Sequence, residues 1–130
     1  MYYADTSALV KLVVREAESS ALRDFVQSAD GIATSDLART ELRRAIQRAD
    51  AAAEVLALAR DLLRRVTMLS LTSDLLDAAG TIGPRALRSL DAIHLASAIA
   101  LGDDLTAVIT YDDRMAEAAV AMGLPVVAPA

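Results

Sequence analysis

The stretch that most constrains the fold is the segment of residues 89–101, which reads SLDAIHLASAIAL. Its apolar and small residues occupy every side of a 3.6-residue period, and a helix that is apolar all round is a buried helix. The segment therefore predicts a helix in the middle of the domain. Asp91 lies in the first turn of this helix, although carboxylates are rarely buried without a partner. Taken alone, Asp91 indicates either a helix cap, the simpler interpretation, or a site in which a cation or hydrogen bonds compensate its charge.

Length and composition narrow the class of protein. A chain of 130 residues, 55% of them hydrophobic, predicts one globular domain over residues 1–130 and argues against disorder. No apolar run has the roughly 18 residues that a membrane span needs, and the N-terminus does not resemble a secretory signal, so we expect a cytoplasmic protein with no membrane partner. The absence of cysteine excludes a disulfide framework, thiolate metal sites and a cysteine nucleophile.

Short β segments alternate with helical stretches along the whole chain, which is typical of an α/β domain whose parallel sheet is covered on both faces. Two adjacent helices, over residues 36–49 and 50–65, predict a helical hairpin that could serve as a contact surface. Polar residues at the predicted helix starts are the expected N-caps. These expected caps are Thr6 or Ser7, Ser35, Asp50, Thr72 or Ser73, and Asp113.

Four acids occupy unusual positions in this pattern. Asp5 and Asp112 follow the first and fourth predicted strands, Asp91 opens the central helix, and Glu41 lies on the apolar stripe of its helix. Functional groups gather at the carboxyl ends of parallel strands, so these four side chains can meet at one point. Like charges at such a point repel one another unless a cation neutralises them. An all-oxygen set suits Mg²⁺ or Mn²⁺, which can activate water for phosphodiester cleavage.

Two other classes that place aspartates at strand ends are excluded by single residues. A phospho-acceptor receiver domain needs a lysine late in the chain, but Lys11 is the only lysine. A haloacid-dehalogenase-type phosphatase needs a second acid two residues after its nucleophile, and Ser7 occupies that place after Asp5. The metal site, by contrast, needs no nucleophilic side chain, which agrees with the lack of cysteine.

Four motifs occur in the order of a known family. They are YADTSALVKL at the start, TELRRAI around Glu41, LDAIHLASA around Asp91, and ITYDDRMAEAAVAMGLPV near the end. In this order the chain resembles the PIN-domain ribonucleases, and most closely the VapC-like toxins of bacterial type II toxin–antitoxin pairs. The resemblance extends from Tyr2 to Val127, and four ordered motifs over this length are far more specific than any one of them.

The resemblance implies a PIN-like three-layer α/β/α sandwich with a central parallel sheet of about five strands. It implies that Asp5, Glu41, Asp91 and Asp112 bind Mg²⁺, with Mn²⁺ as a substitute, and are the catalytic set for cleavage of RNA such as tRNA or ribosomal RNA. Thr6, Ser7 and Thr110 match polar positions that orient the carboxylates or a metal-bound water. The implied partners are a cognate antitoxin that blocks the acidic site and a second copy in a homodimer, with the hairpin of residues 36–65 contributing to both contacts.

The resemblance leaves two other functions open. One is a PIN-type nuclease of RNA processing that has no antitoxin, and the other is a PIN domain that binds without useful catalysis. The net charge of −5 argues against a nucleic-acid partner unless bound cations offset the acids at the site. Five arginines near the acidic positions could hold the RNA backbone, although surface solubility explains each of them equally well. They are Arg39, Arg43, Arg85, Arg88 and Arg114.

Several other polar residues have plainer interpretations. His94, one turn after Asp91, is expected to be a hydrogen-bonded core residue rather than a base or ligand. Asp113 is expected to cap the last helix and point away from the site. Asp36 is expected to be a negative charge in the first turn of its helix, where it interacts favourably with the helix dipole. Asp103 and Asp104 are expected to lie in an exposed turn.

Overall fold

The computed structural model describes all 130 residues, and its five strands form one parallel sheet in the order β3-β2-β1-β4-β5. Seven α-helices connect and cover the strands. In chain order the elements are β1 (Tyr2–Ala4), α1 (Thr6–Val13), α2 (Ser19–Ser28), β2 (Ile32–Ser35), α3 (Leu37–Arg48), α4 (Ala53–Arg65), β3 (Thr67–Leu69), α5 (Ser73–Ala79), α6 (Ser89–Ala100), β4 (Ala107–Ile109), α7 (Asp113–Ala121) and β5 (Val126–Val127). None of the helices has the length and apolar character that a membrane crossing needs.

Alternation along the short strands divides the core between the two faces of the sheet. Ala4 and Ile109 pack with the buried faces of α1 to α4 on one face. Tyr3 and Val108, one residue earlier in each strand, pack on the other face with Ala98 of α6. Successive side chains of a strand point to opposite faces, so both sides of the sheet need a helical layer. The predicted three-layer α/β/α sandwich with a parallel sheet is therefore confirmed.

Helix α6 is the central element that the sequence predicts. Six of its residues, 92 and 94 to 98, are buried, while Leu90 and Ile99 near its ends are 50% and 42% exposed. Asp91 does not cap this helix, because it is the third helical residue and Arg88 occupies the N-cap without a side-chain hydrogen bond. The capping interpretation of Asp91 is therefore wrong.

Three expected caps of the other helices can be compared with the structure. Ser35 is the last residue of β2, and α3 follows Asp36 without a side-chain cap. Asp50 does not cap α4, which follows Ala52; it occupies the turn with a φ of 49°, a conformation that aspartate tolerates better than most residues. Thr72 is confirmed, because its hydroxyl accepts a hydrogen bond from the first turn of α5.

The helices that leave β1 and β4 are capped by the acids themselves. Asp5 caps α1 in place of Thr6 or Ser7, and Asp112 caps α7 in place of Asp113, each accepting a hydrogen bond from an amide of the first turn. An ionised carboxylate is a better partner than a hydroxyl for the positive end of a helix. The two helices are thereby anchored through side chains that also belong to the predicted site.

Candidate active site

The predicted site lies where the strand order changes direction. β1 and β4 are neighbours at the centre of the sheet, with Ala4 opposite Ile109, and the chain leaves them at Asp5 and Thr110. β2 and β3 continue the sheet on one side of this pair and β5 continues it on the other. The loops that follow the two central strands therefore diverge and leave a crevice at their carboxyl ends.

Asp5 is buried at the carboxyl end of β1 and is only 3% exposed. Its Oδ1 accepts hydrogen bonds from Ser7 Oγ at 2.6 Å and from the Ala8 amide at 3.1 Å, and its Oδ2 accepts one from Thr110 Oγ1 at 2.5 Å. Burial raises the pKa of the Asp5 carboxyl above its usual range, although these three bonds oppose the shift. The polar residues at 7 and 110 therefore hold this carboxylate in one orientation.

Glu41 is held from two sides at the rim of the crevice. Thr6 Oγ1 donates to its Oε1 at 2.7 Å, and His94 Nε2 lies 2.5 Å from the same oxygen. Burial alone would raise the pKa of Glu41, but the hydrogen bonds from His94 and Thr6 outweigh it and hold that pKa below its usual range. The side chain is 24% exposed, so Glu41 lies beside the buried stripe of α3 rather than within it.

His94 is buried and hydrogen-bonded through both ring nitrogens, as expected for a core histidine. Its Nδ1 lies 2.7 Å from the hydroxyl of Tyr3, and its Nε2 faces Glu41. A proton on Nε2 satisfies both bonds, because Tyr3 then donates to Nδ1 and His94 donates to the carboxylate. His94 is thus a core residue that also positions an acid of the site. Tyr3 was not predicted as part of the site, and the only sequence signal for it is a tyrosine in a buried strand, whose hydroxyl needs a partner.

Asp91 and Asp112 complete the acidic group. Burial is the main cause that raises the pKa of Asp91, and the negative charges of Asp112, Asp5 and Glu41 raise it further. Asp112 is exposed, and its Oδ1 accepts from the Arg114 amide at 2.9 Å as the cap of α7. The four predicted acids are therefore close enough to influence one another.

Three of the four acids line an open cleft of about 770 Å³. Glu41, Asp91 and Asp112 line it directly, whereas Asp5 lies beneath Ser7, which also lines it. No group of three or more His, Asp and Glu side chains has the spacing to hold one metal ion by itself. Any ion in this cleft would therefore complete its coordination with water or with a ligand, as Mg²⁺ commonly does in proteins.

The arginines named by the sequence divide into two groups. Arg88 and Arg114 line the acidic cleft. Asp113 lines it as well, so the expectation that Asp113 points away from the site is wrong. Arg39 and Arg43 face a separate groove between α3 and α4, and Arg85 borders neither cavity. The structure therefore brings two of the five predicted arginines to the acids.

Comparison with known proteins identifies the family. The PIN domain family matches residues 2–121 of this chain. The chain is 45% identical over 127 residues to "Ribonuclease VapC46" of Mycobacterium tuberculosis, an alignment that covers 98% of this chain and 96% of that protein. The chain belongs to the PIN-domain family. The predicted resemblance of this PIN domain to VapC ribonucleases is confirmed.

Solved structures support the same fold for this PIN domain. The crystal structure of M. tuberculosis VapC20, described as a sarcin-ricin loop cleaving toxin, matches it with a TM-score of 0.76 at 20% identity, over 99% of this chain and all of the other. VapBC2 from Rickettsia felis, bound to a DNA fragment from its promoter, contains a chain that matches with a TM-score of 0.74 at 13% identity, over 99% and 98% of the two chains. At these identities the matches establish the fold of the PIN domain.

Proposed function

We propose that this chain is a divalent-metal-dependent endoribonuclease and the toxin of a type II toxin–antitoxin pair. The observation that carries the proposal is the meeting of Asp5, Glu41, Asp91 and Asp112 at the switch point of a PIN-domain sheet. The relative with 45% identity is named a ribonuclease, and PIN-domain ribonucleases generally depend on a divalent metal. We also propose that residues 1–130 form one PIN domain.

We propose that the four acids bind Mg²⁺, with Mn²⁺ as a substitute, and that water or substrate oxygens complete the coordination, since no three of the acids are spaced to hold one ion by themselves. The donor set fits this ion, because every proposed protein ligand is a carboxylate oxygen and the cleft has room for water beside them. The shared charge also fits, since the negative charges of Asp112, Asp5 and Glu41 add to burial in raising the pKa of Asp91, and a cation would relieve that repulsion. When bound, the ion supplies water activation and charge neutralisation for phosphodiester hydrolysis.

The surrounding residues fix the acids before substrate arrives. Ser7 and Thr110 hold the carboxylate of Asp5 through both of its oxygens. Thr6 and His94 hold Glu41 through Oε1 alone, and its second oxygen makes no hydrogen bond within the chain. Such preorganisation spares the site the cost of ordering its ligands during the reaction. The absence of a nucleophilic cysteine or a Ser–His pair agrees with direct attack by water.

Arg88 and Arg114 provide the cationic contact with RNA. Both line the cleft beside Asp91, where a guanidinium can bind a phosphate through two parallel hydrogen bonds. A contact with phosphates does not distinguish one RNA sequence from another. We propose tRNA or ribosomal RNA as the substrate, recognised by features other than this contact. We therefore propose that the protein acts in the cytoplasm, where such RNAs are found.

The partner we propose is a cognate antitoxin that covers the acidic cleft, together with a second copy of the chain in a homodimer. One structural match, at 13% identity, is part of a VapBC2 complex. The hairpin of α3 and α4 is the surface that we assign to these contacts. Its groove combines an apolar floor, including Leu42 and Leu63, with arginines such as Arg39 and Arg60 at its sides.

The test is cleavage of purified tRNA and ribosomal RNA with Mg²⁺ and with EDTA. We expect fragments only with the metal, and none from Asp5→Asn. The matched control is Asp103→Asn, in an exposed turn of residues 102–104, which should cleave as the wild type does. Full cleavage in EDTA, or by Asp5→Asn, contradicts the proposal. A chain that binds RNA or antitoxin but never cleaves would instead be a binding module.

A further inference from the structure

A second cavity of about 460 Å³ opens beside the acidic cleft, between α7 and the loop that precedes α6. The two cavities share three lining residues, Arg88, Asp91 and Arg114. The second cavity therefore begins where the acidic cleft ends. A chain of nucleotides bound along the acids can place its next base in it.

The walls of this second cavity are mainly apolar. They are formed by short side chains of α7 and by the loop of residues 84–87, namely Pro84, Ala86, Leu87, Ala118 and Ala121. Leu87 also packs against the buried cluster of α6 and α7. Gly83, which enters the loop with a φ of 74°, approaches Leu87 so closely that a Cβ would lie 2.6 Å from its Cδ2. The loop is thus packed in place, and the cavity is preformed.

The polar groups at the mouth are of two kinds. Arg88 and Arg114 can only donate hydrogen bonds, whereas the carboxylate of Glu117 can only accept them. None of the three takes part in an ion pair within the chain. All three are exposed on the free protein, so their hydrogen-bonding capacity is available to a ligand.

We propose that this cavity binds the base next to the scissile phosphate and that Glu117 selects guanine there. The inference rests on the proposed ribonuclease activity and adds the specificity that the phosphate contacts cannot supply. Proteins read unpaired RNA bases by stacking them on aromatic rings or guanidinium planes and by hydrogen-bonding their Watson–Crick edges. Arg88 and Arg114 supply the guanidinium planes, and Glu117 supplies the group that reads the edge.

Guanine follows from the acceptor character of the carboxylate. Its Watson–Crick edge presents two neighbouring N–H donors, N1–H and the N2 amino group, which match the two oxygens of Glu117. Adenine and cytosine each place an acceptor beside their amino group, and uracil places acceptors on both sides of its single donor. For these three bases, a carboxylate oxygen would face a lone pair, which costs binding energy.

The first test is cleavage of short RNA oligonucleotides that differ only in the base at each position around the cut. We expect guanine to raise kcat/KM about 5- to 150-fold over adenine at one position, the range for one well-formed bidentate contact. Glu117→Gln should bring this ratio close to one, and inosine, which lacks the N2 amino group, should give an intermediate rate. Glu54→Gln is the matched control on α4 and should keep the wild-type ratio.

A second variant tests the cavity itself. Ala121→Leu adds a side chain to its wall, so guanine preference should fall while slow cleavage of all oligonucleotides continues. Ala100→Leu, at the exposed end of α6, is its control. Equal preference in wild type, Glu117→Gln and Ala121→Leu overturns the inference.

The third test does not depend on cleavage. Guanosine 5′-monophosphate, titrated into isotope-labelled protein, should shift the amide resonances of Ala118 and Ala121 at lower concentration than adenosine 5′-monophosphate does. RNA cleavage without base preference and without these shifts overturns the guanine site and leaves the ribonuclease. Shifts specific to the guanosine nucleotide in a chain that cleaves no RNA support the site and overturn the ribonuclease.

Discussion

Replacing Tyr3 by phenylalanine tests the buried chain of hydrogen bonds from Tyr3 through His94 to Glu41. The Tyr3 hydroxyl lies 2.7 Å from His94 Nδ1, and Tyr3 is fully buried. Tyr3→Phe removes this hydrogen bond and leaves a buried ring nitrogen unpaired, which costs about 1–3 kcal/mol. We therefore expect the free energy of unfolding to fall by about 1–3 kcal/mol.

The same substitution changes the response of stability to alkaline pH. Burial raises the pKa of Tyr3 from 10.0 to about 12, so the folded chain keeps the phenol proton after the unfolded chain has lost it. Between these values the unfolded state binds fewer protons, and stability therefore falls as the pH rises. The contribution is fully present below pH 10 and lost by about pH 12. Two pKa units correspond to about 2.7 kcal/mol, a loss that Tyr3→Phe should not show.

Urea unfolding followed by circular dichroism, at pH 8 and at pH 11, measures both effects. Tyr2→Phe is the matched control, because Tyr2 lies in the same strand with its ring against Phe25 at 4.9 Å. At pH 8, the free energy of unfolding of Tyr2→Phe should lie within about 0.5 kcal/mol of the wild-type value, as is usual for substitutions that break no buried interaction. A Tyr3→Phe variant as stable as Tyr2→Phe, or one whose stability falls between pH 8 and pH 11 as that of the wild type does, would contradict the role assigned to the Tyr3 hydroxyl.

Three further substitutions test other parts of the account. Thr110→Val removes a bond to a carboxylate and should cost about 1.5–3 kcal/mol in urea unfolding, while carboxyl NMR should show a further rise in the pKa of Asp5. Gly83→Ala should lower the melting temperature more than Gly102→Ala, since both have positive φ but only the first adds a clash; equal losses would contradict this. Mg²⁺ at about 100 times its Kd should raise the free energy of unfolding of the wild type by about 2.7 kcal/mol. The increase should be much smaller for Asp91→Asn, and an equal increase in both proteins would exclude Asp91 as a ligand.

The meeting of the acids could be predicted because it depends on topology more than on side-chain detail. Asp5 and Asp112 each follow a short apolar strand, and parallel strands of an α/β sheet deliver their carboxyl ends to one edge. Asp91 follows from the same logic, since a buried helix must begin near that edge to cover the sheet. No side-chain packing had to be known for these expectations.

The helix caps could not be assigned in the same way. Asp5, Thr6 and Ser7 are all residues that cap helices well, and sequence preferences do not separate them. In the folded chain Thr110 favours Asp5, because its hydroxyl, directly after β4 and more than a hundred residues away, donates a hydrogen bond to the Asp5 carboxylate. The same holds for Asp112 and Asp113, which differ only in where the chain turns into α7.

The residues that contact the acids could not be predicted from the sequence for a similar reason. His94 reads as a core residue, and its bonds to Tyr3 and Glu41 join three separate elements, β1, α6 and α3. Glu117 reads as surface charge on α7, and only the fold brings it to a cavity beside Asp91. Contacts between distant elements depend on tertiary packing, which a local pattern does not report.

The most direct test of the central claim is sequencing of RNA 5′ ends after brief expression of the wild type and of Asp5→Asn. An acidic metal-dependent ribonuclease should produce new 5′ ends at a small set of sites in tRNA or ribosomal RNA, together with arrest of growth. Asp5→Asn, folded and expressed at the same level, should produce neither. The same new ends in both samples, or growth arrest by the wild type without any new ends, would contradict the assignment of this site.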